Sequence, residues 1–216
     1  GDAFAGCLQT RASIGAGLHT GTSGLQWVVD AYALSLASLL LSTAALGDQI
    51  GPRRMFITGL ATFTAASVLC GLAPGPAALI AARCLQGAGA AALVPCSRAL
   101  LSAASAGDPT LRSWGVGWWT PAGSVGLATG PLLGGIMVDT IGWRGIFLIN
   151  LPIGLLGIIL TRRVVTPIPG TETRIDWAGQ GLAITTLLPL TAAVIEADHW
   201  SYLLILTAAL SLTAFI

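Results

Sequence analysis

The sequence contains no lysine, and its ten basic residues are all arginine. Charged residues of either sign make up 9% of the 216 residues, where an ordinary soluble domain carries roughly 25%. Too few charges remain to build the polar exterior of a soluble fold of this length. Hydrophobic residues account for 54%, and the mean hydropathy is +0.82. These values define an integral membrane protein. The formal net charge of +1 comes without a basic patch, so no nucleic-acid partner is read. The four cysteines, Cys7, Cys70, Cys84 and Cys96, have no CxxC spacing and no nearby histidine. They read as small apolar residues in helices. His19 and His199 fall in predicted loops far apart, so no metal site is expected. No HExxH, no GxSxG and no carboxylate pair on one helix suggests an enzyme. No basic n-region precedes a small-residue cleavage site, so no signal peptide is read. The chain does not begin with Met and stops inside an apolar run at Ile216, so both ends are expected to be cuts through something longer.

What the sequence has is long apolar runs. A spanning helix needs about 20 mostly apolar residues. Such runs cover Leu25 to Leu46, Met55 to Leu72, Ala77 to about Leu100, Trp114 to Val138, Trp143 to Leu160 and Trp177 to Ile195, with a cut-off run from Tyr202 to Ile216. The predicted fold is an all-α polytopic helical bundle. Between the runs lie short turns rich in Gly, Pro and Asp: GDQIGPRR, APGP, SAGDPTLR, DTIG and EADHWS. The longest linker is TRRVVTPIPGTETRID. The apolar run before residue 24 is interrupted by Gln9, Thr10 and Arg11, which makes residues 1–24 an incomplete first span and external loop.

Arginine placement orients the bundle. Seven arginines, Arg53, Arg54, Arg98, Arg112, Arg162, Arg163 and Arg174, fall on one side, and two, Arg11 and Arg144, on the other. The first side is cytoplasmic. Arg83 lies within a span. Trp27, Trp114, Trp143, Trp177 and Trp200 sit near predicted span ends, where interface anchors belong.

Four stretches carry more than topology. In LGDQIGPRRMF, Gly47 and Gly51 permit a tight turn, Asp48 can cap the next helix or bind an arginine, and Arg53 and Arg54 hold the turn at the inner surface. A plain topogenic turn is the alternative. In ARCLQGAGAA, Arg83 lies about six residues into its span, roughly 9 Å deep. An intramembrane arginine marks a functional site by default. Gln86, one turn on, can hydrogen-bond the same polar site, and Gly87 and Gly89 let another backbone approach. The alternative is an arginine that snorkels outward or locks two helices. In GLATGPLLGG, Gly126, Gly130 and Gly134 recur every four residues and form one glycine face. Pro131 removes a backbone hydrogen bond and kinks that helix. In WRGIFLINLPIG, Asn150 and Pro152 interrupt an apolar helix.

In this order and on these sides, the four stretches resemble the major facilitator superfamily, and more closely its fourteen-span drug:proton antiporter family. LGDQIGPRR is similar to the signature turn between the second and third spans, with Ala44 and Pro52 departing from the usual form. RCLQG resembles the fourth-span motif. Gly126, Gly130, Pro131, Gly134 and Gly135 match the antiporter helix motif throughout. WRGIFLINLPIG and RIDWAGQGL resemble the stretches that follow, with Gly145 where an aromatic is usual. The resemblance runs from about Gly24 to Ile216. Asp2 stands where the first span carries an acid, but LQTRAS replaces the expected ending, and no role is carried onto it.

The resemblance implies an N-terminal six-span half plus two additional spans. The bundle would occupy residues 25–160, a cytoplasmic linker 161–176, and the additional spans 177–216. It implies efflux of lipophilic or cationic small molecules by alternating access, with protons as the coupling ion and no other cofactor. It also implies a bacterial cell membrane, and as partners the lipid bilayer, the small-molecule substrate and a missing C-terminal half. Asp30, about five residues into its span, lies at nearly the depth of Arg83, and the two are expected to form a pair or a water-bridged relay. Desolvation favours the neutral acid and a nearby arginine favours the carboxylate, so their competition would load and unload a proton. An interfacial role for Asp30 beside Trp27 is the alternative. A transport-incompetent half with only a structural or association role stays open.

Overall fold

A computed structural model describes residues 22–105 and 109–171 and, beyond these, isolated positions between 181 and 189. The incomplete first span, Asp2 and the two additional spans lie outside the described residues. Among the described residues the helices follow in order: α1 Thr22–Ile50, α2 Pro52–Gly71, α3 Pro76–Ala104, α4 Pro109–Ile141, α5 Trp143–Leu148 and α6 Asn150–Val164. There is no strand among the described residues. Four stretches, residues 24–50, 52–71, 76–104 and 143–164, are long and apolar enough to cross a membrane, and α4 supplies a fifth as a bent pair. These are the five runs read from hydropathy between residues 25 and 160.

Proline and glycine set the boundaries. The α1–α2 turn is Gly51 alone, with φ of +93°, a conformation natural to glycine. Pro52 follows at the first position of α2, where its missing N–H costs nothing. Of the two roles read for Asp48, the cap is not made: Asp48 lies inside α1, and α2 has no side-chain cap. Pro76 likewise opens α3. Pro152, in the first turn of α6, leaves the Leu148 carbonyl without its helical donor. The hydrogen-bond ladder is interrupted at Ile149, whose backbone stays helical (φ −61°, ψ −26°), so α5 and α6 form one span. Pro131 separates residues 123–130 from 132–141, and these two pieces of α4 are bent by 43°. The kink read from the sequence is therefore present.

Pro95 sits within α3 without breaking it. Its missing N–H leaves the Ala91 carbonyl without its helical donor. The Thr43 hydroxyl of α1 lies 2.8 Å from that carbonyl and 2.9 and 3.1 Å from the Leu39 and Leu40 carbonyls of its own helix, so its one proton is shared among the three. The hydroxyl of Ser35 makes a second tie between these helices, to the Cys84 carbonyl at 2.7 Å.

Helix α3 is the centre of the bundle, packed along both α1 and α2. Small residues allow this, since lipid-exposed helices gain little from apolar burial and associate through close packing. A Cβ on Gly87 would fall 2.5 Å from the Tyr32 carbonyl of α1. One on Gly89 would fall 2.6 Å from the Phe63 amide of α2. The two glycines are about 200° apart on the helix and so serve opposite neighbours. Helix α6 approaches α2 in the same way, with Gly154 against Thr64 and Gly157 against Leu60. Helix α4 touches mainly α5.

A core of Val28, Cys70, Ala73, Leu79, Ala82, Val138, Trp143 and Phe147 gathers α1 to α5 at one end. Trp143 is 6% exposed and meets Phe147 edge to face at 6.3 Å. It is a core residue there, not the interface anchor expected from its position; Trp27 and Trp114 are exposed. Arg144 stacks on Trp143 at 4.4 Å and donates to the Ala73 carbonyl. At the opposite end Arg53 donates to the Arg162 carbonyl at 2.8 Å.

Candidate functional site

Arg83 is the eighth residue of α3, about 10 Å from the start of the helix. Its direct neighbours come from α1, from α5 and from α3 itself. Nε donates to the Val28 carbonyl of α1 at 3.0 Å, and Nη1 donates to Gln86 Oε1 at 2.7 Å. The guanidinium lies over the Tyr32 ring of α1 at 4.5 Å and near the Phe147 ring of α5 at 5.8 Å. Aromatic faces attract a desolvated cation. Arg83 therefore ties α3 to α1 and α5.

The contact with Gln86 extends inward. Gln86 is 1% exposed, and its Nε2 donates to the hydroxyl of Ser67 on α2 at 2.6 Å. Asn150 of α6 donates to the same hydroxyl at 3.3 Å, and Ser67 donates its own proton to the Phe63 carbonyl at 2.8 Å. The Cys70 thiol is 4.0 Å from Gln86 Oε1. A hydroxyl offers one donor and two acceptor sites, so Ser67 is saturated. The amide of Gln86 is fixed in one orientation, because its flipped form would set NH₂ against the guanidinium. Gln86, Ser67 and Asn150 do not titrate near neutral pH. The network holds a cation in place and does not itself pass a proton.

Asp30 is half-buried in α1. It stands between Val28 and Tyr32 in sequence, hence at the level of Arg83, as its depth suggested. Helical geometry puts it about 200° round the axis from both, on a different side of α1 from those two residues. Arg83 and Gln86 are brought together as expected. Tyr32, Ser67, Cys70 and Asn150 complete the site. Asn150 was visible in the sequence as an interruption; Ser67 and Tyr32 carried no signal.

The Gly47–Arg54 turn lies at the other end. A Cβ on Gly47 would fall 2.9 Å from Cys96 Sγ, which brings α1 close to α3. The segment after α6 crosses the turn. The Asp48 carbonyl accepts from the Thr171 amide at 2.8 Å and from its hydroxyl at 3.1 Å. A Cβ on Gly51 would collide with the Ile168 carbonyl, and one on Gly170 would collide with the Gln49 carbonyl. Arg54 is exposed. On α4, Gly126, Gly130 and Gly134 have open space where a Cβ would stand, while Gly135 is buried. The glycine face thus meets nothing among the described residues.

Apolar spanning helices around a hydrogen-bonded arginine define a polytopic helical membrane protein with an intramembrane polar site. Residues 10–215 match the family description of the Major Facilitator Superfamily, and the chain belongs to that superfamily. It is similar to the drug efflux pump JefA of Mycobacterium tuberculosis, 40% identical over 183 residues, which are 84% of this chain and 36% of that protein. It is 42% identical over 195 residues to the multidrug resistance protein Stp of the same species, covering 90% of this chain and 36% of the relative. The methylenomycin A resistance protein of Bacillus subtilis is 42% identical over 179 residues, covering 83% and 38%. The chain thus spans a little over a third of the length of these curated relatives.

Proposed function

We propose that the chain is the N-terminal part of a proton-coupled antiporter that exports lipophilic or cationic drugs from a bacterial cell by alternating access. The observation that carries this reading is the Arg83 network. A permanent cation is held half-buried among α1, α3 and α5 at the level of a carboxylate, Asp30. A charge in such a place is costly and marks an ion pathway. Asp30 is the proton-binding group, and Arg83, fixed by Gln86, supplies the opposing field. Protonation of Asp30 and hydration of its surroundings change together as the bundle rocks. The kinked α4 presents Gly126, Gly130 and Gly134 to a second half of the transporter, and the Gly47–Arg54 turn bears on that half from the cytoplasmic side. No resident cofactor or metal enters the scheme; the proton is the coupling ion. Relatives whose names record drug efflux and multidrug resistance support the substrate class.

The open glycine face also favours a second reading, in which this chain alone is an association-competent half without transport. One experiment separates the two: proton-driven dye efflux in vesicles, with this chain compared against the same chain joined to a second six-span half. Efflux by the joined form, lost in Asp30→Asn, supports the antiporter. Efflux by the joined form that is unchanged by Asp30→Asn contradicts the role given to that residue. No efflux by either form leaves the association reading standing.

A further inference from the structure

The cytoplasmic turn and the segment after α6 enclose a cavity. Its volume is about 560 Å³, and it is lined by Gln49, Ile50, Arg53, Arg54 and residues 167–170. That size is within the ~300–1,000 Å³ of small-ligand sites. Among the described residues that line it there are two arginines and no carboxylate. The nearby acid, Asp48, is exposed on α1, and its carbonyl is taken by Thr171. Arg162 and Arg163 end α6 beside it. The charge imbalance is local and positive.

Arg53 is also left short of acceptors. A guanidinium has five N–H donors. Nη2 of Arg53 donates to the Arg162 carbonyl, while Nε is buried with no hydrogen-bond partner. An unmet donor on a charged group is expensive. Arg53 and Arg54 both line the cavity, and a guanidinium fork suits an oxyanion, which accepts two hydrogen bonds from it. The cavity roof is Pro167, Ile168 and Pro169, which is apolar, and its floor is the start of a spanning helix. The site lies at the end of the bundle that arginine placement makes cytoplasmic.

We propose that this cavity binds a phosphate oxyanion, with Arg53 and Arg54 as its ligands and residues 167–170 as its closing wall. A small shift of the Arg53 side chain turns its unmet donor onto the anion. Basic pockets at the cytoplasmic face take lipid headgroups, and a free phosphate presents the same oxygens, so the two sources need separate arms. Binding ties the turn to the segment that follows α6 and stiffens both.

Hydrogen exchange of the amides of Ile168, Gly170 and Thr171 reads this directly, with the purified chain in dodecyl maltoside micelles, which carry no phosphate. Phosphatidylglycerol added to the micelles, or inorganic phosphate added to the buffer, is the probe. At about ten times the dissociation constant, exchange should slow by about tenfold. Slowing by phosphatidylglycerol alone assigns a lipid headgroup; slowing by inorganic phosphate as well assigns the free anion. Arg53→Gln should abolish the effect, and Arg54→Gln should weaken it and serves if the first variant does not fold. Arg98→Gln, on the same side but away from the cavity, should keep it. No slowing by either probe, or equal loss in Arg98→Gln, overturns the proposal.

Discussion

Arg83 Nε donates to the Val28 carbonyl at 3.0 Å, and this single bond sets the guanidinium level with Asp30, two residues further along α1. The two groups share a depth, while Asp30 stands on a different side of α1 from Val28 and Tyr32. In the proposed scheme, proton loading at Asp30 depends on Arg83 through its field. Arg83→Lys keeps the charge but cannot donate to Val28 and Gln86 with a planar fork. It should shift the pH dependence of efflux in the joined transporter while leaving the chain folded. A pH profile unchanged by Arg83→Lys would remove the guanidinium geometry from the scheme.

Ser67 and Asn150 act on Arg83 only through Gln86. Ser67→Ala leaves the Gln86 amide and the Asn150 amide without their shared acceptor. Hydrogen bonds inside membranes are worth about 0.6–2 kcal/mol, so the fold should survive with a loss of about that size. Cys70, fully buried against Gln86, reports the change. With the other three cysteines replaced by serine, Cys70 should be alkylated faster in Ser67→Ala than in the parent, and Ser67→Thr should restore slow alkylation.

The Thr43 hydroxyl partly replaces the donor that Pro95 lacks. Thr43→Val keeps shape and removes the hydroxyl, leaving the Ala91 carbonyl unsatisfied. A loss of about 1–3 kcal/mol follows, measured by unfolding in detergent. The double variant Thr43→Val with Pro95→Ala should recover most of it, because the substituted alanine brings its own N–H to the Ala91 carbonyl.

Close approach makes a sharper contrast among the glycines. Gly154→Ala drives a methyl into Thr64, and Gly89→Ala drives one into the Phe63 backbone. Both should destabilise the bundle by about 1–3 kcal/mol. Gly126→Ala and Gly130→Ala have open space in this chain and should leave its thermal unfolding unchanged. If they face a second half in the whole transporter, the same changes should lower efflux there.

Much of the fold was legible in the sequence alone. Hydropathy located the five runs between residues 25 and 160 because a span is a local property of some 20 residues. The Pro131 kink was legible for the same reason, since proline acts on its own helix. Arg83 stood out because a charge in an apolar run is rare, and Gln86 followed from helical spacing. The link between Ser67 and Asn150 did not stand out, because serine and asparagine are common singly and 83 residues separate them. The meeting of Asn150 and Gln86 at the Ser67 hydroxyl belongs to tertiary packing. Residues 165–171 read as plain linker. Their closure over the α1–α2 turn depends on Gly51, read as a turn glycine, and on Gly170, onto which no role was read. Trp143 misled because position in a span was taken as position in the membrane, whereas packing against Phe147 and Arg144 drew it into the core.

The most direct test of the central claim is proton-driven efflux in vesicles carrying the joined transporter, with Asp30→Asn and Arg83→Gln each compared with the parent. The account predicts that each variant inserts and folds, retains substrate binding, and loses efflux driven by an imposed pH gradient. Efflux at the parent rate from either variant, under the same gradient, would contradict it.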